Sequence, residues 1–457
     1  MRTDLAVIGA GPAGLAAALA AAARGTRVTL LDAAPAPGGQ FHRQPAPGLG
    51  ARHSRTLHHH WRTWERLRDA LAASDVRVLT DHHVWSVEPG FTVHALRGPD
   101  QREPVAVRAR AVLLATGGYE KVLPFPGWTL PGVVTAGGAQ ALLKGALVVP
   151  GRRAVVAGTG PLLLPVATGL AAAGAEVAAL VESTGPGALV RHGRALAAKV
   201  PEGAGHAARL LRHRIRLLTR HTVVRAHGDT ALTGVTVAAL DTTGRVRPGT
   251  ARHLDCDTLA IGHGMLPHTD LAQALGCGLD GPTVRVDDEQ RTDVPGVWAA
   301  GETTGIGGAG LALAEGHIAG RSAAARLKGT APDPRGWSAA ARARRRLRAC
   351  ATALDAAYAP PAHWADQVTD DTVVCRCEEV TAGAVRAAVT GLGAGDLRTV
   401  KLLTRAGMGW CQGRMCAPAV AGTAGCELVP GRMLLARPVP LGVLARHPDD
   451  VTEEGTP

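Results

Sequence analysis

Residues 5–23 read LAVIGAGPAGLAAALAAAA, and residues 24–33 continue RGTRVTLLDA. A run of apolar residues ends at Ile8 and is followed by Gly9-x-Gly11-x-x-Gly14. A small-residue helical stretch then leads into a second apolar run that closes on Asp32. Strand, glycine turn, helix, strand and acid in that order are the parts of a dinucleotide-binding fold. The glycines permit a tight turn, close approach of a pyrophosphate and close helix–strand packing. The helix N-terminus offers unpaired N–H groups to the phosphates, and Asp32 accepts from an adenosine ribose. Glycine spacing alone does not separate FAD from NAD. The 19 residues from Leu5 to Ala23 carry no charge, but Gly9, Gly11 and Pro12 break any span that begins at Leu5.

The composition supports an ordered enzyme-like chain. Of 457 residues, 46% are hydrophobic and 19% charged, so the chain is too apolar for disorder and long enough for several cores. Glycine reaches 58 without a collagen period, and a net charge of +12 is concentrated locally. Between Arg321 and Arg348 nine Arg/Lys residues face one acid, Asp333. The stretch reads as a docking surface or a solvated linker, with no nucleic-acid signature. The eight cysteines are too few and too unevenly placed for a secreted disulfide framework. The expected setting is a reducing cytoplasm, with no membrane-spanning segment.

A second strand–glycine–helix–strand unit follows, RRAVVAGTGPLLLPVATGLAAAGAEVAALVES (152–183). It carries Gly158 and Gly160, but leucine stands at 163 where a third glycine is expected. Glu182 ends its second strand. The site is expected to take NAD(P) or another adenine nucleotide, or to be an empty structural domain, with Leu163 holding the helix away from the sheet.

The most specific chemical feature is Cys375-x-Cys377, then 33 residues, then Cys411-x4-Cys416. Two close pairs of thiolates suit a [2Fe–2S] cluster or Zn²⁺. A domain this small draws folding energy from its metal. Cys426 reads as a bystander, and Cys256, Cys277 and Cys350 are scattered. There is no Cys-x-x-Cys, so thiol–disulfide exchange is excluded.

Three further stretches, Gly38-Gly39-Gln40, Ala115-Thr116-Gly117 and Thr292–Glu302, resemble segments of the two-dinucleotide-binding-domain flavoproteins, the glutathione and thioredoxin reductase-like fold. The resemblance implies FAD in the first site, held by Gly9, Gly11, Gly14, Asp32, Gly39, Gln40, Ala115, Thr116, Gly117, Gly301 and Glu302. Val84 stands where such proteins approach adenine by backbone. Their late motif usually ends in Gly-Asp; here Glu302 keeps the charge with one more methylene.

The stretch VVCRCEEVTAGAVRAAV…TRAGMGWCQGRMC resembles the bacterioferritin-associated-ferredoxin-like (BFD-like) [2Fe–2S] domain. With its Cys-x4-Cys spacing and GTGPLLL wording it is similar to the FAD-containing α-type subunits of bacterial amine-oxidising complexes. These include opine oxidase, hydroxyproline and proline dehydrogenases, hydrogen cyanide synthase and sarcosine oxidase. The resemblance implies an α/β fold of two dinucleotide-binding domains plus a small, mainly helical iron–sulfur domain. The expected partition is 1–120 with 252–327 for FAD, 121–251 for the NAD(P)-like domain, 328–370 as a basic linker, 371–430 for the cluster and 431–457 as a tail. It also implies an electron-handling subunit of a hetero-oligomer. The partners would be a β-type FAD-dependent flavoprotein that oxidises the amine and a small ferredoxin-like subunit. A stand-alone NAD(P)H-dependent ferredoxin-type reductase and a non-catalytic scaffold are the alternatives. No catalytic residue is assigned: His42, His53, His58, His59 and His60 read as a solvated face or as part of a flavin pocket or subunit interface.

Overall fold

The computed structural model describes residues 1–51, 54–58, 60–428 and 435–445, so His53 and His59 lie outside the described residues. The chain divides into two compact units. One holds 1–119, 266–351 and the described part of the C-terminal tail; the other holds 120–265 and 352–428.

The first unit is built on a seven-stranded sheet. Strand Arg2–Ile8 lies between Val28–Leu31 and Glu103–Leu114, parallel to both, with Leu5 opposite Val28 and Ala111. Parallel central strands covered on both faces require continuous apolar runs, and Leu5, Ala6, Val7, Leu30, Leu31, Val112 and Leu113 are all fully buried. The long strand Glu103–Leu114 changes partner along its length. Residues 103–108 pair antiparallel with Thr92–Arg97, and residues 112–114 pair parallel with Val297–Ala299. Helix Pro12–Ala22 packs against helix Gly308–Leu327 through small residues. A side chain at Gly316 would sit 2.1 Å from the Ala13 carbonyl oxygen, and one at Gly320 would sit 2.2 Å from that of Ala17. The alanine-rich first helix thus approaches its neighbour backbone to backbone.

The second unit contains a five-stranded parallel sheet in the order Leu217–Thr219, Glu176–Glu182, Arg153–Gly158, Thr258–Gly262, Val133–Thr135. A three-stranded antiparallel sheet, His221–His227, Gly234–Ala239 and Arg252–Asp255, accompanies it. The expected return to the flavin domain at 252 is therefore corrected. Strands 252–255 and 258–262 ladder onto the second unit, and the crossover falls at Met265 and Leu266.

Residues 371–428 share the second unit with this fold. Helices Ala382–Leu392, Leu397–Thr404 and Ala417–Ala424 surround a small core that includes Val374, Val385, Val400 and Val420. Thr381 and Asp396 cap the first two by accepting from the Ala384 and Thr399 N–H groups. The expected basic linker 328–370 is largely helical, with Ser338–Ala357 forming one 20-residue helix. In the tail, the Ala436 N–H donates to the Trp85 carbonyl in the first unit. Among the described residues no helix is long and apolar enough to cross a membrane.

Candidate functional site

The first glycine turn follows strand Arg2–Ile8 directly. A side chain at Gly14 would lie 1.8 Å from the Gly9 carbonyl oxygen, so helix Pro12–Ala22 starts tight against the turn. Gly39 packs against Gly11, with its Cβ position 2.7 Å from the Gly11 Cα, whereas nothing comes closer than 3.9 Å to the Cβ position of Gly11. The face of the turn at Gly11 is an open cradle. Gly11 is also the N-cap, with no side chain bonded to the helix start, leaving that end's N–H groups for an anion. Asp32 stands beside the turn. Its Oδ1 accepts from the Ala34 N–H at 2.7 Å and its Oδ2 from the Ala10 N–H. Burial pushes its carboxyl above the usual range, and the two amide bonds oppose that shift. The open cradle and the acid at the strand end fit the ADP half of FAD. Gln40 is exposed and accepts from Arg43 at 3.2 Å, so its side chain is committed to the surface. Val84 lies in the hairpin strand His82–Val87, at a bulge opposite Ala95.

The crossover and late motifs meet through hydroxyls. Thr116 and Thr303 both donate to the His268 carbonyl, at 2.6 and 2.7 Å, and lie 2.8 Å from each other. The Ala115 N–H donates to Ile8, and the Gly117 carbonyl accepts from the His268 N–H. Glu302 is half-buried in the short turn Gly301–Thr304. Desolvation raises its pKa, against a hydrogen bond from the Gly308 N–H.

Two residues that the motifs did not reveal hold this turn in place. Glu315, 1% exposed on helix Gly308–Leu327, accepts from the Gly301 N–H and the Thr304 hydroxyl, each at 3.0 Å. Its other oxygen pairs with Arg348, which also donates to the Gly305 carbonyl at 3.0 Å. Four residues earlier, Arg344 donates to Gln290 and to the Asp288 carbonyl. One face of the basic helix is therefore turned inward, onto the turn at residues 288–290 and the end of the late motif. Nothing in the sequence marked that face, because Arg345 and Arg346 stand between the two inward residues.

The second glycine turn repeats the first with one substitution. A side chain at Gly158 would meet the Gly262 carbonyl oxygen at 1.7 Å, as one at Gly9 would meet that of Ala115 at 2.3 Å. Leu163 replaces the third glycine as the first residue of helix Leu163–Ala172, and it is 1% exposed. Its Cδ2 lies 3.4 Å from the Cβ position of Gly262, so the neighbouring strand supplies the missing space. Glu182 accepts from the Gly160 N–H at 3.1 Å and the Thr184 N–H at 2.9 Å. Burial pushes its carboxyl up to about 7, with these hydrogen bonds acting in the opposite direction.

The four clustered cysteines come together. Cys375 and Cys416 are buried, Cys411 is half-buried and Cys377 is exposed. The thiols form a chain of neighbours: Cys377 meets Cys411, Cys411 meets Cys416, and Cys416 meets Cys375. The Cys416 thiol and the Gly413 and Met415 N–H groups hydrogen-bond to the Cys411 sulfur and lower its pKa. Gly409 makes room for this approach, because a side chain there would lie 2.2 Å from the Cys377 Cβ. Trp128 fixes the start of the segment by donating from Nε1 to the Val373 carbonyl at 2.7 Å. Among the described residues no three His, Cys, Asp or Glu side chains surround one metal position. Four neighbouring thiols, two from each cysteine pair, are a donor set that a [2Fe–2S] cluster would take. Cys426 lies past the end of helix Ala417–Ala424, its N–H bonded to Ala421.

These sites define a two-dinucleotide-fold flavoprotein with FAD-binding and [2Fe–2S]-binding domains in one chain. Residues 3–325 match the model of the pyridine nucleotide-disulphide oxidoreductase family, and residues 373–422 match that of the BFD-like [2Fe-2S] binding domain. The chain is 36% identical over 437 residues to an opine oxidase subunit of Agrobacterium tumefaciens, covering 91% of this chain and 84% of the relative. It is 37% identical over 430 residues to the hydrogen cyanide synthase subunit HcnB of Pseudomonas aeruginosa, covering 90% of each. The crystal structure of L-proline dehydrogenase from P. horikoshii superimposes with a TM-score of 0.67 over 98% of this chain and 80% of that one; at 20% identity this shows a shared fold. The chain belongs to the pyridine nucleotide-disulphide oxidoreductase family, in the branch of these opine oxidase and HcnB subunits.

Removing Arg348 strands the buried Glu315 carboxylate. Breaking a fully buried pair costs about 3–5 kcal/mol, and with Arg348 one-third exposed the expected loss is about 1–3 kcal/mol. Arg348→Ala is expected to purify with less FAD and to unfold at lower urea, while Arg348→Lys loses less on both counts. Flavin-to-protein ratio and urea titration check this. Glu182 supplies a pH test. Its folded pKa near 7 exceeds its ordinary 4.5, so the folded state binds the extra proton and stability falls as pH rises between the two. The unfolding free energy of Glu182→Gln relative to wild type should rise by about 3 kcal/mol over that window. Urea titrations at both ends of the window measure it.

Proposed function

We propose that this chain is the FAD- and [2Fe–2S]-carrying subunit of a complex that oxidises the C–N bond of an amine, imino acid or opine. The observation that carries the reading is the joining of an open flavin cradle and a file of four thiols in one chain that lacks a Cys-x-x-Cys. FAD takes up two electrons together and a [2Fe–2S] cluster passes them singly, so the pair converts hydride chemistry into one-electron transfer. Two relatives that match about nine-tenths of this chain are named as subunits of opine oxidase and hydrogen cyanide synthase.

Gly9, Gly11, Gly14, Asp32 and Gly39 would hold the ADP half of FAD by main-chain approach and one carboxylate. Ala115, Thr116, Gly117 and Gly301 would shape the floor, and Glu302 would meet the ribityl chain. The Glu315–Arg348 pair keeps that turn in register. Cys375, Cys377, Cys411 and Cys416 would ligate the cluster, with N–H groups of residues 411, 413 and 415 bonded to the sulfurs and Cys377 on the solvent side. The partners are a β-type flavoprotein that binds the amine and a small ferredoxin-like subunit. The site of action is the cytoplasm. A reductase driven by NAD(P)H is disfavoured by the burial of Gly158 and Gly160.

Anaerobically purified protein should contain two irons and two acid-labile sulfides per chain and show a flavin spectrum with added long-wavelength absorption. Adding NADH should leave that spectrum unchanged, and Cys377→Ser should lose most of the iron while keeping FAD. Rapid bleaching by NADH would replace this reading with the reductase. Full iron in the cysteine variant would remove Cys377 from the ligand set.

A further inference from the structure

The two glycine turns differ in accessibility. Gly9 and Gly11 keep partial access to solvent, whereas Gly158, Thr159 and Gly160 are all buried. Yet the Cβ position of Gly160 has no atom within 4 Å, so the turn faces a gap instead of packed side chains. In an open parallel sheet, ligands enter at the carboxyl ends of the strands, beside the glycine turn and the acid of the next strand. At that edge of the second fold the chain lays its own backbone. The Thr159 hydroxyl, inside the glycine turn, donates to the Tyr358 carbonyl at 3.3 Å. The Thr184 hydroxyl, two residues past Glu182, donates to the Ala357 carbonyl at 3.3 Å. These two threonines bracket the carboxylate that would receive a ribose. The Tyr358 ring lies near the same carboxylate: burial and the Glu182 charge push its phenol up to about 12. Further along, Pro361 packs against Gly244.

Beside this contact lies a cavity of about 250 Å³ lined by Ser183, Thr184, Arg220, Ala357, Ala359 and Pro361 among others. The Ser183 hydroxyl in its wall is buried with no hydrogen-bond partner among the described residues. The edge retains acceptors, donors and space suited to an adenosine while its entrance is covered from within the same unit.

We propose that residues Ala357–Pro361 form an intramolecular cap on the second dinucleotide fold, and that an adenine nucleotide binds beside Gly160 and Glu182 only when this cap is displaced. A site that is competent in a fraction of molecules has its affinity lowered by that fraction, and weakening the closed form restores it. The cap keeps the second fold silent toward NAD(P)H while leaving it open to regulation by an adenine nucleotide. This inference goes beyond the amine-oxidation reading and stands whether or not that reading holds.

The test uses the full-length FAD- and cluster-loaded chain, with ADP and NADH as probes in equilibrium dialysis. Tyr358→Ala is expected to bind ADP at least ~10-fold more tightly than wild type, and Glu182→Ala in the same background should abolish the gain. If Tyr358→Ala fails to fold, Thr184→Ala, which removes one cap bond, carries the same expectation in the same direction. Equal affinity in wild type and the cap variant, whether tight or absent in both, would overturn the proposal. A gain that survives Glu182→Ala would also overturn it, because the nucleotide would then be bound elsewhere.

Discussion

Each dinucleotide fold of this protein is organised around one carboxylate that holds a glycine turn by its main-chain N–H groups. Asp32 accepts from Ala10 and Ala34, and Glu182 accepts from Gly160 and Thr184. Buried N–H groups must find acceptors, and an acid at the end of the second strand reaches two of them at once. Both acids are desolvated there, which raises their pKa values, and the amide hydrogen bonds partly offset the shift. The position of each turn, and the direction of the helix after it, follow from that arrangement. What differs is the surroundings. The first turn faces an open cradle at Gly11, and the second is buried beside its own chain at Tyr358.

The late flavin motif depends on a second buried acid. Glu315 reaches back from helix Gly308–Leu327 to the N–H of Gly301 and the hydroxyl of Thr304, and Arg348 neutralises it. The basic helix is thus part of the flavin unit's interior on one face. Its exposed arginines account for the local charge, while Arg344 and Arg348 make specific contacts with Gln290 and with Gly305 after the turn.

Much of the fold was legible because its determinants are local. An apolar run followed by glycines at fixed spacing locates a strand, a turn and a helix start, and the central strands begin and end within a few residues of that pattern. The cysteine spacing was equally local: Cys375 and Cys377 leave one strand, and Gly409 lets Cys411 approach them. Information carried by distant partners was not legible. The expected partition put Thr258–Gly262 with the first fold, and only its pairing with Arg153–Gly158 places it in the second unit. Leu163 looked like a defect, because the space that admits it comes from Gly262, about a hundred residues away in sequence. The Arg348–Glu315 pair and the Tyr358 contact left no motif, since each depends on which face of a helix meets the fold.

Combining a flavin fold with a cysteine-ligated domain makes one quantitative demand on the chain. Flavin accepts two electrons and a [2Fe–2S] centre one. The most direct test is an anaerobic reductive titration of the full-length protein with dithionite, followed by its visible spectrum. The account predicts uptake of three electrons per chain, with flavin and cluster absorbances both lost. Uptake of two electrons by a protein with full flavin content would contradict it, because the cysteine-bearing domain would then carry no redox centre.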